Sequence, residues 1–179
     1  MVLARASLHD AWRGLGLGGP VARGFGFGLV ATIPMALATF VNRAYLPDLD
    51  DLVGTVLFGP FAEEVLFRGF LFAVLWRRAR WPWPVALAVS SVAFGLAHGD
   101  GLASAVLMMG GAIFAWIYYR WGSLWPAIGL HAWMNFWWDL SRGVDYRGRF
   151  EVDAAGISQI LSMILALILT LRRKQHSRI

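Results

Sequence analysis

Six polar side chains of the 179-residue sequence lie inside otherwise apolar stretches: Glu63, Glu64, Arg68, His98, His131 and Asn135. Carrying one charged side chain to the centre of a bilayer costs on the order of 3 kcal/mol on insertion scales, so groups kept there have a role in function or packing. A carboxylate can take a proton from water, and imidazole and amide groups can hydrogen-bond to a developing oxyanion. These residue types therefore indicate hydrolytic chemistry, with a purely structural polar network as the alternative.

The acidic pair has unequal access to the arginine. Glu64 and Arg68 are four residues apart, so one helix face can hold them as an ion pair. Glu63 lies about 100° around the helix and cannot share that arginine equally. We therefore expect Glu64 and Arg68 to provide structural support, and Glu63 to be free to act as a base. Pro60 predicts a kink or restart of the helix, which would put Glu63 near a partially positive helix end.

The remaining polar residues fall on two further segments. His131 and Asn135 are four residues apart and should project together from one helix, and Phe94 and His98 share this spacing on another. We counted the depth of each residue from the cytoplasmic end of its predicted span, at ~1.5 Å per residue. The depths of Glu63, His98, His131 and Asn135 allow these side chains to converge at one site within the membrane. Trp133, Trp137 and Trp138 are expected to face lipid or the interface.

The composition is typical of an integral membrane domain. Hydrophobic residues make up 58% and charged residues only 15%, and the mean hydropathy is +0.57, whereas a soluble domain carries about a quarter charged residues. The formal charge is +5. In a membrane protein such a surplus favours cytoplasmic loops at anionic lipid rather than a nucleic-acid partner, and no basic run is interleaved with aromatics. The absence of cysteine excludes disulfides and thiolate metal sites.

Six apolar segments predict an all-α, polytopic transmembrane bundle of about six spans, at 25–46, 52–76, 84–98, 102–119, 124–140 and 156–171. The predicted organisation is an interfacial or cytoplasmic segment 1–24, a transmembrane domain 25–171 with its motif core at 60–135, and a basic cytoplasmic tail 172–179. Most Lys and Arg residues fall in the two terminal regions and in alternate loops, which favours both termini in the cytoplasm. The loop 141–153, with Arg142, Arg147 and Arg149, opposes this orientation.

Three short motifs occur in one order: EEVLFR (63–68), FGLAH (94–98) and HAWMN (131–135). This order, EExxxR then FxxxH then HxxxN, resembles the CPBP family of CAAX proteases and bacteriocin-processing intramembrane peptidases, also called the Abi family. The resemblance covers 60–135 and implies an endopeptidase that cleaves a membrane-associated protein or peptide. The Arg-rich, Lys-poor usage and compact plan favour a multi-pass protein of a bacterial inner membrane.

Within that resemblance the residues divide into roles. Glu63 is the expected base, His98 positions the water, His131 and Asn135 stabilise the oxyanion, and no cofactor is required. One alternative is a zinc site formed by Glu63, His98 and His131 with an open position for water. Two others are a non-catalytic scaffold or bacteriocin-immunity protein on the same fold, and a transporter with a proton relay.

Overall fold

The computed structural model describes residues 7–41, 48–99, 101–142 and 154–172, and within them the chain is helical, with no strand. Eight helices are present in these ranges: α1 (Leu8–Gly14), α2 (Val21–Ala31), α3 (Ile33–Val41), α4 (49–78), α5 (Trp83–Ala97), α6 (Gly101–Trp121), α7 (Trp125–Arg142) and α8 (Ala154–Leu171). The all-α prediction is confirmed. Each of the six predicted apolar segments contains helix, although the first is divided between α2 and α3.

The number of membrane spans is a separate question from the number of helices. By length and hydropathy, α8 alone among the described helices qualifies as a span, and α2 with α3 would be a second if this pair, bent by 53°, is counted as one. The helix α5 is apolar but shorter. The predicted six spans are therefore not confirmed by this criterion.

Apolar side chains cover the outer faces of the helices as well as the core. Large exposed hydrophobic residues occur on α2, α3, α4, α5 and α8, including Leu37, Phe40, Phe58, Phe70, Val92, Leu96, Ile164 and Leu171. Soluble monomers rarely expose contiguous apolar surface on this scale. Such a surface fits a membrane protein, in which lipid covers the outer side chains.

The helix α4 changes its hydrogen-bonding pattern along its length but does not stop. It is α-helical at Leu49–Leu52 and Gly59–Glu64 and π-helical at Val53–Phe58, Val65–Phe72 and Val74–Arg78. Every junction keeps right-handed helical dihedrals. An α-helical segment does begin at Gly59 with Pro60 in its first turn, as predicted, but the backbone before it is also helical, so Glu63 lies inside a continuous helix and not beside a free helix end. π-Helical turns are rare in proteins, and those that occur are often at functional sites. Their concentration around the acidic pair therefore indicates that α4 carries a functional site.

Glycines bring α2 and α7 into direct backbone contact. A Cβ atom added at Gly28 would overlap the carbonyl group of Gly129, and one added at Gly129 would lie 2.5 Å from the carbonyl oxygen of Gly24. Small residues at such positions let two helices approach closely, which is a common packing mode in membranes. This contact holds α7, and with it His131 and Asn135, against the N-terminal part of the chain.

The Gly28→Ala variant should therefore be clearly destabilised, by about 1–3 kcal/mol as for other overpacked positions. Gly26→Ala is the matched control on the same helix, since a Cβ there meets nothing within 4 Å. Unfolding of both variants in detergent micelles, followed by circular dichroism, measures the difference. Equal stability of the two variants would show that α2 and α7 are farther apart at Gly28 than in the structure.

Two of the tryptophans expected to face lipid instead tie helices together. Trp133 donates its indole N–H to the carbonyl oxygen of Phe25 at 3.1 Å, and Trp137 donates to Thr32 Oγ1 at 3.0 Å. Thr32 lies at the break between α2 and α3, two residues before Pro34, whose ring cannot continue the helical hydrogen bonding. The lipid-facing prediction was therefore wrong for these indoles, because buried N–H groups need acceptors and α2 provides them.

Some sequence-based predictions fall outside the described residues. These are the positions of 1–6, 42–47 and Asp100, the loop 143–153 and the tail 173–179. Nearly half of the Lys and Arg residues on which the predicted orientation depends, such as Arg147 and Lys174, lie there. The orientation therefore stays a prediction.

Candidate active site

Arg68 is fully buried and joins three helices. Its Nη1 donates to Glu64 Oε1 at 3.0 Å, and its Nη2 donates to the carbonyl oxygen of Gly111 on α6, also at 3.0 Å. The guanidinium carbon lies 4.3 Å from the ring centre of Phe94 and 5.2 Å from that of Phe114. Aromatic faces attract a desolvated cation, so these rings offset part of the cost of burying it. The predicted Glu64–Arg68 ion pair is confirmed.

The same oxygen of Glu64 also orients a histidine. His131 Nδ1 lies 3.0 Å from Glu64 Oε1, and its ring stacks on Phe114 with centres 4.8 Å apart and planes at 15°. An ionised carboxylate only accepts hydrogen bonds, so Nδ1 carries the hydrogen. The lone pair of the neutral imidazole is therefore on Nε2, which faces Glu63 at 3.8 Å.

A backbone carbonyl orients the second histidine in the same way. His98 directly follows α5, and its Nδ1 lies 2.8 Å from the carbonyl oxygen of Phe94. Because a carbonyl oxygen only accepts, Nδ1 again carries the hydrogen. His98 Nε2 then faces Glu63 Oε2 at 3.5 Å. The predicted pairing of Phe94 with His98 on one face is confirmed.

Three acceptor atoms converge between these elements, and we call Glu63 Oε2, His98 Nε2 and His131 Nε2 the acceptor cluster. Glu63 Oε2 is itself buried and has no hydrogen-bond partner among the described residues, although the side chain as a whole is 31% exposed. Three converging lone pairs repel one another unless an electropositive group lies among them. A proton on one imidazole, or a water that donates hydrogen bonds, satisfies this requirement.

Asn135 lies one turn beyond His131 but hydrogen-bonds elsewhere. Its Nδ2 donates to the carbonyl oxygen of Thr55 at 2.8 Å, and the Thr55 hydroxyl donates to Asp139 Oδ2 at 2.6 Å. These bonds connect α7 to the first π-helical turn of α4. The bond to Thr55 uses one of the two amide hydrogens, so the other remains available for a further acceptor.

A metal ion at this site would use the same side chains. In the described part of the chain, no group of three His, Cys, Asp or Glu side chains has the arrangement of a metal site. The two Nε2 atoms and the Glu63 carboxylate do face one another, and each Nδ1–H is anchored, as is usual for histidines that bind metals. These three residues are therefore the donors that would hold a zinc ion if one binds.

Sequence reasoning selected five residues that the structure brings together: Glu63, Glu64, Arg68, His98 and His131. It missed Phe114 and the carbonyl group of Gly111, which complete the environment of Arg68. A Cβ added at Gly111 would lie 3.1 Å from Arg68 Nη2, so this glycine leaves room for the guanidinium. The pair Gly110–Gly111 within an apolar segment was the only signal in the sequence, and it indicates close packing without naming the partner.

Fold and site together define a helical membrane protein with a buried acid–imidazole centre, and comparison with known proteins gives its family. The model described as "Type II CAAX prenyl endopeptidase Rce1-like" matches residues 46–137, just over half of the chain and all three motifs. The chain belongs to this Rce1-like family, which is a family of membrane proteases.

A curated relative supports the same assignment. The "Putative membrane peptidase YdiL" of Bacillus subtilis (strain 168) is 31% identical over 84 residues, which are 47% of this chain and 34% of that protein. The matched region thus spans about a third of the relative's length. No solved structure matches the chain significantly.

Proposed function

We propose that this protein is a CPBP-type intramembrane endopeptidase that hydrolyses a peptide bond of a membrane-associated protein or peptide, with water activated by Glu63. The acceptor cluster supports this proposal most directly: a buried carboxylate oxygen without a hydrogen-bond partner faces two imidazole nitrogens whose other nitrogens are anchored. Such a site favours binding of one water at the point where a base is available.

The chemical steps follow from the positions of these groups. Water bound in the acceptor cluster gives a proton to Glu63 as its oxygen attacks the scissile carbonyl carbon, and His98 Nε2 aligns that water. The C–N bond then breaks, and the leaving amine takes the proton from Glu63. The products are a carboxylic acid and an amine, which exchange a proton to become a carboxylate and an ammonium group, and the base is regenerated.

The developing oxyanion needs donors, and α7 carries two candidates. His131 donates from Nε2 when this atom is protonated, because Nδ1–H is already bonded to Glu64. Asn135 contributes its second amide hydrogen while the first remains on Thr55. Oxyanion donors of this kind contribute about 2.7–4 kcal/mol each in enzymes where they have been removed.

A zinc-dependent peptidase is the second candidate mechanism, favoured by the facing arrangement of Glu63, His98 and His131. Zinc bound there would supply a Lewis acid and lower the pKa of bound water. In that case Glu64 keeps its role through its bond to His131 Nδ1, which orients the ligand nitrogen.

Chelation distinguishes the two mechanisms. We expect cleavage by the purified enzyme in detergent to continue after treatment with a zinc chelator, because the proposed base is Glu63 itself. The rate before and after chelation, and after zinc is added back, is the measurement. A loss of cleavage that zinc restores would establish the metal mechanism with the same three residues.

The proposed function is tested by finding the substrate. New protein termini in membranes of cells with the wild-type gene are compared with those of cells that carry Glu63→Gln at equal expression. Termini that appear only with the wild type, and that the purified enzyme then generates, support the peptidase. If no terminus depends on Glu63 while a gene phenotype persists in the variant, the scaffold alternative replaces the peptidase.

The setting of this reaction is also a proposal. We place the protein in a bacterial inner membrane as a multi-pass bundle of about six spans, with both termini in the cytoplasm and residues 25–171 forming the peptidase domain. The exposed apolar faces of five helices support contact with lipid beyond the one clear span. Bilayer lipid and a membrane-associated polypeptide are the expected partners.

A further inference from the structure

A cavity lies outside the acceptor cluster, where α1, the start of α2 and the α6–α7 turn meet. Its volume is about 290 Å³. It is lined by several glycines and prolines, among them Gly16 and Gly19, and by Arg13, Arg23, Ser123 and Trp121. Pro126 is five residues before His131 on α7, so the cavity and the acceptor cluster are separated by roughly 7–8 Å along this helix.

The charge of the cavity is entirely positive. Arg13 and Arg23 line it, and none of the described lining residues is acidic. The nearest acid on α1, Asp10, has Arg13 within its electrostatic reach but is engaged by Ser7. Hydrogen bonds from the hydroxyl and backbone N–H of Ser7 hold the pKa of Asp10 below its ordinary value. Two exposed arginines therefore line one cavity, with no carboxylate among its described lining residues.

The loop between α1 and α2 is held in place by several hydrogen bonds. The indole N–H groups of Trp12 and Trp125 both donate to the carbonyl oxygen of Leu17, at 2.9 and 3.0 Å. The N–H of Leu124 donates to the carbonyl oxygen of Gly16 at 2.8 Å, and Gly16 has a φ of +86°, which favours glycine. The cavity wall is thus preformed, and binding a ligand there requires little ordering.

Glycine backbone also shapes the floor of the cavity. A Cβ at Gly19 would lie 2.5 Å from Ser123 Oγ, so this position keeps the serine hydroxyl close to the loop. The helix α2 begins at Val21, directly after Pro20, with no side chain capping its first turn. The Ser123 hydroxyl and the two arginine side chains that line the cavity are all donors, which suits an oxyanion with several acceptor atoms.

We infer that this cavity, bounded by Arg13, Arg23 and Ser123, binds a phosphate group. The volume suits a phosphate with a small substituent, and Arg recognises phosphate through paired N–H donors. Trp121 lines it, and Trp12 and Trp125 hydrogen-bond to Leu17 in the neighbouring loop; tryptophan is typical of the membrane–water interface. The phosphate can come from a lipid headgroup or from a soluble molecule, and the chemistry at the arginines is the same.

Native mass spectrometry of the full chain in detergent tests this inference. Phosphatidylglycerol and diacylglycerol, which lacks the phosphate, are added to the wild type, to Arg13→Gln/Arg23→Gln and to Arg78→Gln. Arg78 is the matched control, since it is exposed at the end of α4 and does not line the cavity. In parallel, the thermal stability of each protein is measured in inorganic phosphate and in chloride at equal ionic strength.

We expect the binding of one of the two phosphate sources to depend on Arg13 and Arg23. Selective retention of phosphatidylglycerol, reduced about tenfold or more in the double glutamine variant but not in Arg78→Gln, identifies a lipid headgroup. Stabilisation by inorganic phosphate with no lipid retention, lost in the same variant, identifies a soluble phosphorylated ligand. If the glutamine variant does not fold, Arg13→Lys/Arg23→Lys should keep the response at reduced strength. The inference is overturned if Arg78→Gln loses as much lipid retention or phosphate stabilisation as the double glutamine variant. It is also overturned if the wild type neither retains phosphatidylglycerol nor is stabilised by inorganic phosphate.

Discussion

Replacing Glu63 with glutamine should lower kcat for peptide cleavage by a factor of about 10² to 10⁴, the usual contribution of a general base. Glutamine keeps the size of the side chain but cannot accept the proton of the attacking water. KM should change little, because the proposed role of Glu63 is in the chemical step and not in substrate binding. The measurement is steady-state cleavage of an identified substrate by purified protein in detergent.

The matched control for this variant is Asp50→Asn, which also removes one carboxylate from α4 but at an exposed position. It should cleave at the wild-type rate. Elution profile and circular dichroism of Glu63→Gln should match the wild type, since Glu63 Oε2 makes no hydrogen bond within the described chain. Undiminished cleavage by a well-folded Glu63→Gln protein would assign the base to another group.

Replacing Arg68 with methionine should cost about 3–5 kcal/mol of stability, the usual result of removing one partner from a buried ion pair. Methionine fills much of the space but leaves the Glu64 carboxylate buried with only His131 as a donor. The carbonyl oxygen of Gly111 loses its guanidinium partner as well. Reversible unfolding in mixed micelles gives the free-energy difference from the wild type.

A double variant separates the ion pair from simple packing. Glu64→Gln/Arg68→Met removes both charges, so it should be less destabilised than the sum of the two single variants. Arg78→Met is the control for loss of an exposed arginine from the same helix and should change stability by less than about 0.5 kcal/mol. If the two single effects simply add, the ion pair is not coupled, and the contacts with Phe94 and Phe114 would account for the cost of losing Arg68.

Local geometry explains which parts of the site were predictable from sequence. Residues four apart on a helix meet whatever surrounds them, so the Glu64–Arg68 pair and the placement of His98 beside Phe94 followed from spacing. The helical nature of the apolar segments followed from the need to satisfy backbone groups internally. These features depend on one segment at a time.

Other parts depended on contacts between distant segments. Nothing near Asn135 indicates that its amide meets the carbonyl group of Thr55, eighty residues earlier in the chain. The destinations of the Trp133 and Trp137 indoles likewise depend on how closely α2 approaches α7 through its glycines. The continuous course of α4 through Pro60 was missed because π-helical hydrogen bonding leaves no distinct pattern in the sequence.

The wide turns of α4 have a consequence for how this chain can change in length. The spacing within 63–68 is constrained by contacts of Glu63, Glu64 and Arg68 with other helices. By contrast, the π-helical turn Val53–Phe58, with its i→i+5 hydrogen bonds, sets the angle around the helix axis between Thr55 and Glu63. Deleting one residue from that turn would rotate Thr55 by about 100° relative to the acidic pair and remove the acceptor of Asn135. In evolutionary terms, single-residue insertions and deletions in the turn Val53–Phe58 would therefore alter the attachment of α4 to α7 while leaving the acidic motif 63–68 in register.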